Sequence, residues 1–128
     1  MQKEAALKAQ NVFTNYVLCI DSLTLKFEGI LRDFAKRVGS NTIKIGRDGQ
    51  IREGFTDDLL ELEEIKDKFS EDDLLFFKYV FTSSGINLRN DIAHCFFRFS
   101  DYQESHFLLV LSSILRFAKY RVGPKINP

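Results

Sequence analysis

The sequence contains no tryptophan, only two cysteines and no long apolar stretch, and its 18 basic side chains are balanced by 18 acidic ones. The longest apolar run, residues 107–111, is far too short to cross a bilayer. The N-terminus also lacks the charged, apolar and small-residue regions that make up a signal peptide. These absences predict a protein without membrane partners, in the cytoplasm.

The two cysteines and two histidines are badly placed for a metal site. Cys19 and Cys95 lie far apart and match no ligand spacing, so we expect both to be reduced, buried thiols of a cytosolic protein. His94 and His106 are twelve positions apart without carboxylates at ligand positions. No glycine-rich phosphate loop and no Ser or Cys nucleophile arrangement is present either. We therefore predict neither a metal nor a cofactor.

The charges are unevenly distributed along the chain. Residues 1–52 hold nine Lys and Arg against five Asp and Glu, whereas residues 53–73 hold ten acidic side chains and two basic ones. A net charge of zero argues against a nonspecific coat on nucleic acid, yet separate basic surfaces remain available for a phosphate backbone. The acidic block is interpreted as a solvated helix face.

The length of 128 residues and a hydrophobic content of 45% predict one domain, residues 1–128, around a single core. Thirteen phenylalanines indicate a core built mainly from Phe and Leu. Apolar residues recur every three or four positions, as they do in amphipathic helices. The predicted helices cover residues 3–38, 56–69, 70–81, 86–97 and 101–121.

Residues that commonly cap helices lie at several of these predicted helix ends. Gly39 fits a C-terminal cap, while Thr56, Ser70 and Ser100 are candidate N-caps. Gly29 lies inside the first helix pattern, which leaves a kink or a second helix open. The last helix is apolar nearly all round, so we expect it to be central in the bundle or to be covered partly by a second subunit.

A small β-hairpin is predicted within residues 41–53. Two short β-branched runs flank an Asp48-Gly49 turn there. Two strands alone are marginal, so the hairpin should rest on the helices. The predicted fold is an all-α helical bundle with this hairpin as an insertion. Lys44, Arg47 and Arg52 give the hairpin a positive charge that either contacts RNA phosphates or only aids solubility.

The segment Asn87-Leu88-Arg89-Asn90-Asp91-Ile92-Ala93-His94 carries the chemistry most relevant to function. An arginine side chain is a permanent cation, and a histidine side chain can both accept and donate a proton, so Arg89 and His94 are suited to phosphate chemistry. Asn90 offers an amide that can orient the histidine. These three residues are predicted to be catalytic. Asn87 and Asp91 are weaker candidates for substrate binding.

Helical geometry places these candidates at different angles. Asn90 and His94 are four residues apart and share a face, whereas Arg89 lies about 140° from His94. Arg89 and His94 can therefore converge only on an extended ligand or across a two-fold axis, which predicts a homodimeric site. The opposite, core-directed side of the helix is predicted to carry Leu88, Ile92, Cys95, Phe96 and Phe99.

Such a set is sufficient for metal-free RNA cleavage. The N-terminus of the helix favours an anion, Arg89 adds a two-pronged donor, and His94 can move a proton. The residues also have a purely structural interpretation. In it Arg89 pairs with the acidic block around residues 61–73, His94 is a satisfied interior histidine, and Asn90 is a helix cap.

The segment Gly-Ile-Asn-Leu-Arg-Asn-Asp-Ile-Ala-His, residues 85–94, resembles the G-x-N-L-R-N-x-x-A-H stretch of a bacterial family of unknown function in the HEPN superfamily. Similarity in the order of segments extends over roughly residues 20–120. That superfamily carries an Arg-x4–6-His motif, and most of its members are all-helical ribonucleases. Two positions depart from the pattern, since Cys95 stands where Gly is common and Phe96 where some toxins of the superfamily have a regulatory Tyr.

The resemblance implies a HEPN-like bundle in which Arg89 and His94 cleave RNA, in bacterial stress or phage defence. It also implies possible partners, namely an antitoxin or further domains of a longer protein that would end with this one. The superfamily contains members without activity, so a noncatalytic module that binds nucleotide or RNA is an alternative. A third possibility is a structural dimerisation domain that uses residues 107–118 as its interface.

Overall fold

The computed structural model describes the backbone of residues 2–120 and the side chains of residues 16–120. This part of the chain is mostly helical and carries one small antiparallel hairpin, as predicted. Its elements are α1 (Gln2–Arg37), β1 (Ile43–Ile45), β2 (Ile51–Glu53), α2 (Thr56–Leu60), α3 (Glu63–Lys68), α4 (Glu71–Phe81), α5 (Leu88–Ala93), a 3₁₀ turn (Phe99–Asp101) and α6 (Glu104–Phe117). None of the described helices is both long and apolar enough to cross a membrane.

The long helix α1 is continuous through Gly29, so the alternative of two helices is wrong. It ends as predicted at Gly39, which has a φ of 87°. The amide of Ser40 donates to the carbonyl of Ala35 over 2.9 Å, and the amide of Gly39 donates to the carbonyl of Lys36 over 3.1 Å. This pair of bonds is a Schellman cap, which needs the left-handed backbone that glycine adopts without steric cost.

The predicted hairpin is confirmed and is tied to α1. Ile45 pairs with Ile51 across the two strands, and Gly49 turns the chain with a φ of 80°. Glu53 at the end of β2 accepts hydrogen bonds from Thr42 Oγ1 (2.7 Å) and Lys36 Nζ (3.0 Å). These two hydrogen bonds fix the end of β2 against the end of α1, and so fix the position at which the chain continues to residue 54.

The single helix predicted over residues 56–69 is wrong, because the chain forms α2 and α3 with a break between them. Leu60 and Ile65 are both fully buried. In one continuous helix they would lie about 140° apart and could not face the same core. The extended backbone of Leu62 turns the chain so that both reach it. The N-cap is Phe55 rather than Thr56, and the carboxylate of Asp58 accepts the Phe55 amide proton over 2.9 Å.

The core is built from Phe and Leu, as expected. Phe27 is at its centre, stacked on Phe81 with ring centroids 4.2 Å apart and in contact with Phe77 and Phe117. The predicted cap of α4 is confirmed, since Ser70 Oγ accepts from the amide of Asp73. The Asp73 carboxylate accepts a hydrogen bond from Arg116 on α6 and so joins the two helices.

The last helix and the cysteines differ from expectation. Helix α6 begins at Glu104 with Gln103 as its N-cap, instead of near Ser100, and it ends at Phe117; residue 121, the predicted end, lies outside the described residues. Both cysteines are exposed, so the prediction of buried thiols is wrong. Cys19 is on the solvent side of α1, and Cys95 follows the end of α5, where helical periodicity no longer applies.

Candidate functional site

Gly85 determines where the segment of residues 85–94 enters the fold. The amide of Ile86 donates to the carbonyl of Tyr79 over 2.7 Å. A Cβ on Gly85 would overlap that carbonyl and would lie 2.6 Å from Tyr79 Cδ2. Only a residue without a side chain allows the chain to pass so close to the end of α4.

Helix α5 is shorter than predicted, since it ends at Ala93 instead of near residue 97. Cys95 has a φ of 56°, and the amide of Phe96 donates to the carbonyl of Asp91 over 2.7 Å. This Schellman cap stops the helix within two turns. Leu88 and Ile92 are buried as predicted, but the predicted burial of Cys95, Phe96 and Phe99 is wrong, because these three are exposed beyond the helix.

Arg89 is bound to a carboxylate on α1. Its Nε donates to Glu28 Oε2 over 2.6 Å and its Nη2 donates to Oε1 over 3.4 Å. The two side chains are only 14% and 10% exposed. The alternative that Arg89 pairs with the acidic block of residues 61–73 is therefore wrong.

Glu28 is the centre of a buried polar network. Besides Arg89 it binds Arg32 Nη2 (3.0 Å), Thr56 Oγ1 (2.9 Å) and the Thr56 amide (3.2 Å). Burial alone would raise the pKa of the Glu28 carboxyl, but these hydrogen bonds and the charge of Arg89 bring the pKa below its ordinary value. The carboxylate thus remains charged and holds α1, α2 and α5 together.

Phe55 brings two of the predicted site residues together. The guanidinium of Arg89 lies 4.1 Å from the centre of the Phe55 ring, and that of Arg52 lies 4.2 Å from it. Arg52 also donates to Asp58 Oδ2 over 3.1 Å. The Phe55 ring is 38% exposed, so this aromatic and cationic cluster reaches the surface.

The predicted polar edge of α5 is at the surface. His94 is the C-cap of the helix and is exposed, and its ring stacks on Phe96 with centroids 5.5 Å apart. The interpretation of His94 as an interior histidine is thus wrong. Asn87, Asn90 and Asp91 are half-buried, and their side chains form no hydrogen bonds within the described residues. Asn87 is the N-cap of α5, in the left-handed region with a φ of 61°.

The other two hairpin candidates are not part of this cluster. Lys44 lies on β1 and Arg47 in the turn, and both are exposed. Within the side chains that the structure describes, neither pairs with an acidic group or contacts Arg89 or His94. Of the three basic hairpin residues, Arg52 alone joins the cluster around Phe55.

Three residues of this site were not predicted from the sequence, namely Glu28, Phe55 and Thr56. A signal for Glu28 was present, because it shares a helical face with the buried residues Leu31 and Ala35, where a carboxylate requires a partner. Phe55 and Thr56 gave no such signal, since their role depends on how α2 packs against α1.

The described residues contain no group of three or more His, Cys, Asp or Glu side chains that could hold a metal ion. No family model matches this sequence, and no curated protein or solved structure shows a significant similarity to it.

Proposed function

We propose that this chain is a HEPN-type, metal-independent endoribonuclease that acts in the cytoplasm in bacterial stress or phage defence. One observation carries the proposal. Arg89, the candidate catalytic cation, and Arg52, the candidate RNA contact from the hairpin, meet at the half-exposed ring of Phe55. A ring that holds two guanidinium groups beside each other at the surface suits a nucleotide backbone, whose phosphate oxygens can bind both cations.

Glu28 supports a catalytic role for Arg89 by orienting it. Glu28 engages Nε and Nη2, and within the described residues Nη1 has no partner. That nitrogen is available to a phosphate oxygen. A guanidinium held on two sides loses little freedom when it binds, which is the condition for electrostatic stabilisation of a charged transition state.

The proposed reaction needs one base and one acid. A neutral histidine removes the proton from the 2′-OH, and O2′ then attacks the adjacent phosphorus. The bond from phosphorus to O5′ breaks, and an imidazolium protonates the leaving oxygen. The products carry a 2′,3′-cyclic phosphate and a 5′-OH. His94 of each copy in a dimer supplies one of the two proton transfers, and Arg89 stabilises the phosphorane. The Asn90 amide, which has no hydrogen-bond partner within the described residues, is available to orient the histidine.

A second candidate function, a noncatalytic module that binds nucleotide or RNA, is favoured by the same ion pair. The charge of Arg89 is already compensated by Glu28, so a phosphate gains less attraction there than at a free arginine. Such a module would use the Phe55 cluster for binding and leave His94 without a role. A third, structural function in dimerisation is supported by Leu108 and Leu115, which are exposed on α6.

The first test is incubation of the protein with labelled single-stranded RNA in EDTA. We expect cleavage by the wild type that leaves cyclic-phosphate ends, and a loss of about 100-fold or more in His94→Ala. His94 is exposed, so this variant should fold. Arg98→Ala, which changes an exposed arginine outside the Glu28 network, is the matched control and should cleave like the wild type.

Arg89→Lys and Phe55→Ala complete the test. Arg89→Lys keeps a charge near Glu28 but loses the planar donor, so cleavage should fall while RNA binding, followed by fluorescence anisotropy, changes less. Phe55→Ala should weaken binding. Intact RNA with a folded, RNA-binding wild type would favour the noncatalytic module, and undiminished cleavage by His94→Ala would overturn the proposed mechanism.

A further inference from the structure

Phe96 is a large apolar side chain that the fold leaves in solvent. It follows the left-handed residue Cys95, and its amide donates to the carbonyl of Asp91 over 2.7 Å. Its ring is nevertheless 65% exposed. The backbone of Phe96 is thus fixed against the end of α5, while most of its side chain lies in water.

A Schellman cap usually gives the residue at this position an apolar contact. The second residue after the C-cap commonly packs against side chains two or three residues before the C-cap, or one residue further back. In α5, whose C-cap is His94, the facing residues are Asn90 and Asp91, and both are polar. Phe96 therefore cannot make the usual capping contact, and its ring remains available for another one.

The Phe96 ring lies beside the imidazole of His94 instead. The two ring centroids are 5.5 Å apart, and the planes differ by 24°, which is a stacked arrangement. His94 covers one face of the phenyl ring, and the high exposure of Phe96 leaves the other face open to solvent. A flat aromatic face in water is a platform on which the bases of single-stranded nucleic acid stack.

Asp91 offers hydrogen-bond acceptors close to this ring. Its carboxylate is half-buried and has neither a hydrogen-bond partner nor an ion pair within the described residues. Asp91 and His94 are three residues apart and therefore lie on the same side of the helix. A carboxylate accepts through two oxygens. Among the four RNA bases, guanine alone presents two adjacent N–H groups, at N1 and N2, that match this pair of acceptors.

We propose that the end of α5 is a subsite for an unpaired guanine base, which stacks on Phe96 and donates from N1 and N2 to the Asp91 carboxylate. This subsite rests on the proposed binding of RNA and names the base that the same site selects. The guanine must be unpaired, because in a duplex both of its faces are stacked and its N1 and N2 groups are paired with cytosine.

The subsite also determines where RNA should be cleaved. His94 and the stacked base lie on opposite faces of the Phe96 ring. The phosphate that reaches His94 therefore belongs to that guanosine or to a neighbouring nucleotide. Cleavage should occur next to unpaired guanosines, whereas guanosines within a duplex should be spared.

Binding is tested on RNA that cannot be cleaved. In 2′-O-methyl oligouridylates that carry a single guanine, adenine or hypoxanthine, the attacking hydroxyl is blocked, so the affinity does not depend on catalysis. Fluorescence anisotropy should show that the guanine oligomer binds about tenfold more tightly than the adenine oligomer. Hypoxanthine keeps the N1 proton but lacks the N2 amine, so its oligomer should bind with intermediate affinity.

Two sets of variants separate stacking from hydrogen bonding. Phe96→Ala should weaken binding of the guanine and adenine oligomers alike, by about tenfold, and Phe96→Tyr should retain most of the affinity. Asp91→Asn should remove the preference for guanine, because the amide nitrogen sets a donor against a donor. Leu75→Ala, which shortens a similarly exposed apolar side chain on α4, and Asp67→Asn on α3 are the matched controls.

The possible outcomes distinguish this subsite from the ribonuclease activity. Equal affinity of the wild type for the guanine and adenine oligomers, or an unchanged affinity in Phe96→Ala, would overturn the subsite even if the wild type cleaves RNA. Guanine-selective binding that requires Phe96 and Asp91, without cleavage of ordinary RNA, would support the subsite and assign it to a noncatalytic module. Phe96 is exposed, so its variants should fold, and circular dichroism checks this.

Discussion

Arg89 is held by Glu28, which lies 61 positions earlier in the chain, through a contact of 2.6 Å between Nε and Oε2. The pair joins the short helix α5 to the long helix α1 and lies largely out of solvent. The guanidinium is therefore both a structural tie between helices and the most rigidly placed cation of the candidate site. A variant that breaks the pair should change stability as well as any activity.

Removal of Glu28 should destabilise the fold strongly. Glu28→Ala leaves the guanidinium of Arg89 buried without compensation, which typically costs about 3 kcal/mol in the free energy of unfolding. Glu28→Gln retains part of the hydrogen bonding and should cost less. Urea unfolding measures both, with Asp67→Ala on the exposed side of α3 as the control, expected within about 0.5 kcal/mol of the wild type. Equal stability of Glu28→Ala and the control would contradict this account.

Asp73 should make stability depend on pH in the acid range. It is 1% exposed and accepts hydrogen bonds from Arg116 (2.9 Å), Lys119 and Tyr120. Burial alone would raise the pKa of Asp73, but these bonds and charges lower it well below its ordinary value. Because the pKa is lower in the folded state, its contribution is present at neutral pH and is lost as the pH falls below the unfolded value of about 4.

Asp73→Asn should therefore flatten the decline in the free energy of unfolding between about pH 5 and pH 3, and should cost about 2 kcal/mol at pH 7. Urea unfolding at a series of pH values measures this. Asp67→Asn, which changes an exposed carboxylate, should keep the slope of the wild type. A slope for Asp73→Asn parallel to the wild type would show that this carboxylate is not the acid-sensitive group.

Gly85→Ala should destabilise the protein although it adds a single methyl group. That carbon would overlap the end of α4 at Tyr79, so the backbone must move, and the amide of Ile86 loses its bond to the Tyr79 carbonyl. Overpacking of this kind costs about 2 kcal/mol. Thermal unfolding provides the measurement, and Ser84→Ala, one residue earlier and exposed, should melt near the wild type. Similar melting of the two variants would refute the close approach.

Cys95→Gly should stabilise the protein. Cys95 has a φ of 56° at the end of α5, a conformation that costs a residue with a Cβ about 1 kcal/mol relative to glycine. Cys95→Ala removes the same thiol but keeps the Cβ, so it separates the backbone effect from the loss of sulfur. The glycine variant should be about 1 kcal/mol more stable than the alanine variant in urea. Equal midpoints would mean that the left-handed cap is not strained.

Local patterns were sufficient to predict α1, α4, the hairpin and the caps at Gly39 and Ser70. Gly39 ends α1 and Ser70 begins α4 where expected, because a left-handed glycine and a side-chain oxygen act on amides within a few residues. The position of Phe27 in a Phe-rich core likewise follows from its periodic spacing. HEPN-type activity stays a prediction, since it rests on the segment of residues 85–94.

The sequence by itself determined which residues are candidates for a site, namely Arg89, Asn90 and His94 near one short helix and Arg52 on a hairpin. Only the tertiary structure decided that Arg89 is neutralised by Glu28 and that Phe55 joins Arg89 to Arg52. The reason is physical. Caps and helical faces depend on neighbours within a turn or two, whereas a buried ion pair depends on which helices pack together, and that is decided by the burial of the whole apolar core.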